Sequence, residues 1–166
     1  VAAVYTVGHS AHSLERFLEL LALHGVQAVA DVRSRPYSRH CPHFGRQPLE
    51  RALRGAGVGY AFAGRDMGGQ PDDPALAALP VAARWRAVAA RPEFARELDR
   101  LERGLAQGLR LCLLCGEEDP TRCHRRLLVG HALMARGHGL RHIRADGRAQ
   151  QDADLGGCHQ HALPGL

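Results

Sequence analysis

The 166-residue chain contains no lysine; all 22 of its basic residues are arginine. That absence excludes Schiff-base chemistry, a pyridoxal anchor and the lysine-dependent phosphate loop of nucleotide hydrolases. Aromatic residues make up only 5% of the chain, so platforms for stacking single-stranded bases are sparse. No apolar run approaches the length of a bilayer-spanning helix. The first residues also lack a basic segment leading into an apolar signal core. No membrane association is expected, and a cytoplasmic location is the default.

What is present fits one folded unit. The length suits a single domain that buries its own core, and 45% of residues are hydrophobic. The five cysteines, Cys41, Cys112, Cys115, Cys123 and Cys158, are odd in number. The chain is too long for a disulfide-stapled mini-protein, so free thiols are expected. A formal net charge of +5 favours anionic partners, a small anion or nucleic acid. The arginines are dispersed, however, which fits compositional bias as well as a built surface.

Apolar runs alternate with helical patterns. The opening VAAVYTVGHS reads as a buried strand, and Ser13 then caps a helix with Glu15 in its first turn. VQAVADVRS is a second strand and VGYAFAG a third, with a short helix near Pro48 between them. Residues 64–80 read as loop. Phe94, Leu98, Leu101 and Leu105 recur at helical spacing. LRLCLLC is a fourth strand, TRCHRRLLVGHALMARG a continuous helix with His131 near its buried side, and LRHIRA a fifth strand. Residues 146–166 hold few apolar side chains and are expected to form a less ordered tail. The fold expected is a single-domain α/β three-layer sandwich over residues 1–166, with a mostly parallel sheet of about five strands.

Ligands of open parallel sheets bind outside the carboxyl ends of the strands. The chemically capable residues fall there in sequence. His9 and Ser10 follow strand one, Asp31 and Arg33 end strand two, and Cys115, Glu117 and Glu118 follow strand four. Cys123, His124 and Arg125 open the next helix, where unpaired N–H groups and the helix dipole favour a thiolate or a bound anion. Cys123 is therefore the expected most reactive thiol, with Cys112 in the core. Each polar residue also has a structural reading: a hydrogen-bonded His9, a local Asp31–Arg33 pair, a packed Cys115.

Metal ligation is not expected. His40, Cys41 and His43, or Cys115, Cys123 and His124, lack the paired C-x2-C spacing of structural zinc modules. Cys112 and Cys115 have it, but inside a strand they point to opposite faces. No cofactor is expected either.

TVGHS, DVRSRPYSRHCPHF, GVGYAFAGRDMGG, LLCGEEDPTRCHR and GLRHIRADG occur in order between about residues 4 and 148. Together they resemble the DUF488 family of small bacterial and archaeal α/β proteins. The resemblance implies an α/β fold with a polar site at His9, Ser10, Asp31, Arg33, Cys115, Glu117, Cys123, His124 and Arg125. It implies no particular reaction. The expectation is an enzyme of group transfer or hydrolysis acting on a polar or anionic ligand, such as a nucleotide or nucleic-acid end. Cys123 or Cys115 would be the nucleophile, and Glu117 or His9 the acid or base. Ser10, Asp31, Arg33, His124 and Arg125 would hold the ligand. The alternative is a non-catalytic module for nucleic acid or a small anion.

Overall fold

The apolar opening run forms strand β1, Ala3–Gly8, in a computed structural model that describes residues 3–155. Helix α1, Leu14–Leu23, is entered through Ser13, whose Oγ accepts the Arg16 backbone N–H at 3.1 Å. It is left through Gly25, at φ 61°, a conformation glycine adopts without steric cost. Strand β2, Ala28–Asp31, is followed by helix α2, Arg46–Gly55, which starts two residues before Pro48. Strand β3, Gly59–Phe62, leads into the segment read as loop, which holds two short helices, α3 at Gly64–Met67 and α4 at Pro74–Ala77. Asp73 nucleates α4 by accepting the Ala75 N–H at 2.8 Å. Helices α5, Val81–Ala89, and α6, Pro92–Ala106, precede strand β4, Leu111–Cys115.

The stretch after β4 is not one continuous helix. A 3-10 turn, Pro120–Arg122, ends at Cys123, which is extended at φ −115° and ψ 138°. A π-helical segment, Arg125–Gly130, then runs into helix α7, His131–Ala135. The wider π turn shifts the buried face. Leu128, Val129, Ala132 and Leu133 are buried, whereas His131 is half-exposed. Strand β5, Gly139–Ile143, is joined by strand β6, Ala149–Gln151. Within the segment expected to be a less ordered tail, residues 146–155 carry β6 and the 3-10 turn Asp152–Leu155. Residues 156–166, including Cys158, lie outside the described residues.

The sheet order is β3-β2-β4-β1-β5-β6. Neighbours among β1–β5 are parallel, and β6 runs antiparallel to β5. The chain is thus a mixed α/β domain whose sheet gains one strand beyond the five expected. Phe17, Leu20 and Leu21 of α1 and Leu49 and Leu53 of α2 cover one face, against Val7, Val29 and Leu114. Phe94, Leu98, Leu101 and Leu105 of α6, with Leu128 and Leu133, cover the other against Ala30 and Leu113. Each such buried side chain contributes roughly 1.5–3 kcal/mol. Among the described residues no helix is long and apolar enough to cross a membrane.

Candidate functional site

Sheet topology opens the site. The crossovers leaving β1 and β2 pass over the α1/α2 face, and that leaving β4 passes over the opposite face. Because β4 lies between β2 and β1, loops at the carboxyl ends of neighbouring strands diverge and leave a crevice. His9 donates its backbone N–H to the Cys115 carbonyl at 2.9 Å, and Ser10 donates to Gly116 O at 3.0 Å. The β1–β4 ladder is thereby continued to the rim. Gly8 makes this possible, since a Cβ there would lie 1.9 Å from Glu117 O.

A cleft of about 400 Å3 opens at this edge, lined by His9, Arg33, Ser34, Gln70, Cys115 and His124 among others. A second of about 230 Å3 adjoins it, sharing Cys115 and His124 and adding Glu117, Arg122, Cys123 and Trp85. Gly69 borders both, and a Cβ there would press on the His124 side chain at 3.0 Å. Both volumes suit a small ligand or a single nucleotide-sized group.

At the floor, Cys115 Sγ lies 3.7 Å from His124 Nδ1, and Cys123 Sγ lies 4.0 Å from the same nitrogen. His124 Nε2 is 2.7 Å from the Val32 carbonyl. A carbonyl only accepts, so Nε2 carries a proton and Nδ1 is the nitrogen that exchanges protons with sulfur. The two thiols are not equivalent. Cys123 is 3% exposed, whereas Cys115 is half-buried and lines both cavities. Interaction with the adjoining Cys123 thiol holds the Cys115 thiol far below its ordinary range against the opposing effect of burial. His124 and the Glu117 backbone N–H reinforce this. The same interaction, with burial, pushes Cys123 up. Burial would lower His124, but its hydrogen bond to Cys115 and that sulfur's charge raise it instead. Both shifts favour a thiolate on Cys115 facing a protonated His124.

A buried cation acts on the second thiol. Arg125 is fully buried, and its guanidinium donates to Thr6 Oγ1 at 3.2 Å, to Glu118 O at 2.8 Å and to Glu117 O. Among the described residues it has no carboxylate partner. A buried unpaired positive charge is costly, and its field favours the ionised form of the Cys123 thiol.

His9 plays a different part. Its Nδ1 lies 2.8 Å from the Ser10 carbonyl, which again fixes the tautomer and leaves Nε2 as an acceptor. Burial lowers its pKa, the Ser10 bond offsets this only in part, and Arg33 lowers it further. Its ring stacks on Phe44, with centroids 4.4 Å apart. Ser10 pays for this geometry with φ 47°, the one positive φ outside glycine among the described residues.

Three of the residues expected to bind ligand do not line the cleft. Ser10 is exposed and serves His9 through its carbonyl. Asp31 is fully buried, accepting from Arg33 Nε at 2.8 Å, Arg33 Nη2 at 2.6 Å and Tyr60 Oη at 2.7 Å. Arg125 lies beneath the rim. Arg33 does line the cleft, but Asp31 and the Phe44 carbonyl, 2.8 Å from Nη1, occupy much of its donor capacity. Glu117 stands exposed at the mouth of the smaller cavity, its carboxylate accepting the Asp119 N–H at 3.1 Å. Cys112 is fully buried and its thiol is pushed far up by burial. The sulfurs of Cys115 and Cys123 and one His124 nitrogen, the set weighed and set aside on spacing above, lie within 4.8 Å of one another, and a soft cation would fit them.

The residues missed from sequence are Tyr60, Phe44, Ser34, Gln70 and a buried network behind Arg125. Thr6 Oγ1 lies 2.8 Å from His142 Nδ1, and His142 Nε2 lies 3.0 Å from Asp152 Oδ1. Asp152 also accepts from Arg126 Nε at 2.6 Å. Burial would raise Asp152, but the His142 and Arg126 bonds hold it well below the usual carboxylate range.

The family described as a domain of unknown function, DUF488, matches residues 13–132. The chain belongs to the DUF488 family. In this DUF488 domain the matched span includes Asp31, Arg33, Cys115, Glu117, Cys123, His124 and Arg125, while His9 and Ser10 precede it. No curated protein and no solved structure matches the chain.

Proposed function

We propose that the protein is an enzyme of group transfer or hydrolysis acting on a small polar or anionic ligand, with Cys115 as nucleophile. The observation that carries the reading is the 3.7 Å pairing of a half-buried Cys115 sulfur with a histidine whose other nitrogen is pinned on Val32 O, at the floor of a polar cleft. In this reading the Cys115 thiolate attacks the electrophilic centre of the bound ligand, and His124 gives its Nδ1 proton to the leaving group. His9, neutral with Nε2 free, then takes a proton from the water or acceptor that releases the transferred group. Arg33 and the buried charge of Arg125 favour a negatively charged ligand. The nucleophile role expected of Cys123 passes to Cys115, because Cys123 is buried and its thiol is pushed up.

The test is brief alkylation of the native chain with iodoacetamide at pH 6 after dialysis against a chelator, each cysteine being mapped by mass spectrometry. Cys115 should label first, inorganic phosphate should slow it, and Cys112 should label only on unfolding. Labelling of Cys115 no faster than Cys41, indifferent to phosphate, would remove the nucleophile and favour a non-catalytic anion-binding module. Steep salt dependence of ligand binding without turnover would mark that module.

A further inference from the structure

The proposed nucleophile has a neighbour that acyl or phosphoryl transfer does not need. Cys123 brings a second sulfur into the same cluster, with both sulfurs and His124 Nδ1 within 4.8 Å of one another. The two differ in access, Cys115 lining the larger cleft and Cys123 being 3% exposed. Cys115 is therefore the more accessible sulfur, lining both cavities, while Cys123 borders only the smaller one. Cys123 sits outside the regular helix, in extended backbone just before it. Its side chain can turn toward Cys115 without unwinding a helical turn. Closing an S–S bond of about 2.05 Å starts from sulfurs already within 4.8 Å of one another.

We propose that Cys115 and Cys123 form a dithiol pair that reduces disulfides of small polar or anionic compounds, Cys115 attacking and Cys123 resolving. This rests on Cys115 being the nucleophile. In the first step the Cys115 thiolate attacks one sulfur of R–S–S–R′. A Cys115–S–S–R bond forms, the S–S bond of the substrate breaks, and R′–S⁻ leaves with the His124 proton. His124 Nδ1, now neutral, takes the Cys123 proton, and the Cys123 sulfur attacks Cys115 Sγ. R–S⁻ leaves and the Cys115–Cys123 disulfide remains. Two electrons have passed from the protein dithiol to the substrate, and a second thiol compound restores the pair by the reverse exchange.

The geometry accounts for both steps. One histidine nitrogen serves both sulfurs, at 3.7 Å and 4.0 Å, so the proton lost in the first step is recovered in the second. Arg125, buried with no acid partner among the described residues, favours an anion on Cys123 in the resolving step. The cleft walls, His9, Arg33, Ser34 and Gln70, offer polar contacts to a charged or hydroxylated R group.

The probe is 5,5′-dithiobis(2-nitrobenzoate), an anionic aromatic disulfide, added in equimolar amount to the full chain carrying Cys41→Ser and Cys158→Ser. Two thionitrobenzoates should be released per chain, leaving a protein lighter by two hydrogens and a mapped Cys115–Cys123 disulfide. With Cys123→Ser added, one should be released and the mixed disulfide should persist on Cys115. Unchanged iodoacetamide labelling of Cys112 (none in the native state) shows that this variant is folded. A stable mixed disulfide on Cys115 with Cys123 intact would overturn the dithiol role while leaving the nucleophile standing. Failure of Cys115 to react with either reagent would instead remove the proposed function itself.

Discussion

Replacing His124 by Gln should move the inflection of the Cys115 thiol upward into the acid end of the assayed range. A full charge pair at the 3.7 Å of the Cys115–His124 contact is worth about 4.5 kcal/mol at an effective dielectric near 20. Solvent in the open cleft cuts that to about 2 kcal/mol, or roughly 1.5 pKa units. The Cys123 S–H and the Glu117 N–H remain in the variant, so Cys115 should still ionise below an ordinary thiol. The assay is the second-order rate of Cys115 alkylation by iodoacetamide between pH 4 and pH 9. An unperturbed thiol of pKa about 8.5 gains roughly 700-fold in thiolate between pH 5 and pH 8. The unmodified chain should change by less than about twofold over the same span. Its plateau should be modest, because nucleophilicity falls with pKa (Brønsted slope about 0.4–0.5); the slope rather than the height is diagnostic. In the variant the inflection should rise by one to two units. A profile for the unmodified chain that climbs as an ordinary thiol, or superimposable profiles for the two proteins, would refute the ion pair.

Three further outcomes test the surroundings of the site. Asp152→Ala strips Arg126 and His142 of their acid, and breaking such a pair should cost about 3–5 kcal/mol in urea unfolding; a loss under 1 kcal/mol would mean the network is solvated. Gly8→Ala forces a Cβ to within 1.9 Å of Glu117 O, so the 115–118 loop must move. Stability should drop by about 3 kcal/mol or more and Cys115 labelling should lose its flat pH profile. His9 and His142 have folded pKa values below their unfolded ones, so their contribution is complete above about pH 6.5 and declines as pH falls through the folded values. His124, raised, works the opposite way and loses its contribution as pH rises through its folded value. His131 is lowered by burial as well, so with three groups against one the urea midpoint should fall from pH 7 to pH 5, and a flat or rising midpoint would contradict the burial of His9, His131 and His142.

The strands and α6 were legible because their periodicity is regular: Phe94, Leu98, Leu101 and Leu105 are all buried, as their spacing predicts. The edge to which the polar residues map follows from strand direction alone. What sequence could not supply was side-chain direction. Arg125 reads as an anion clamp beside Cys123, yet it runs under the rim to the carbonyls of Glu117 and Glu118. The π-helical segment shifts the face read from a 3.6-residue period, so His131 was placed too deep. Gly130 permits that packing, since a Cβ would meet Leu140 Cδ1 at 2.6 Å. The contribution of Asp152 depends on partners 10 and 26 residues away, and a hydrophilic segment gives no local sign of it.

The placement of β1 between β4 and β5 bears on how the molecule folds. Its backbone partners are Cys112 and Arg141 opposite Tyr5, so β1 stays unpaired until chain about a hundred residues later has been brought to it. Such distant pairing slows folding and leaves an apolar edge exposed meanwhile. The rim bonds from His9 to Cys115 and from Ser10 to Gly116 can close only after β1 inserts. Acid-pH alkylation of Cys115 therefore also serves as a refolding clock, timing the moment when the central strand locks into place.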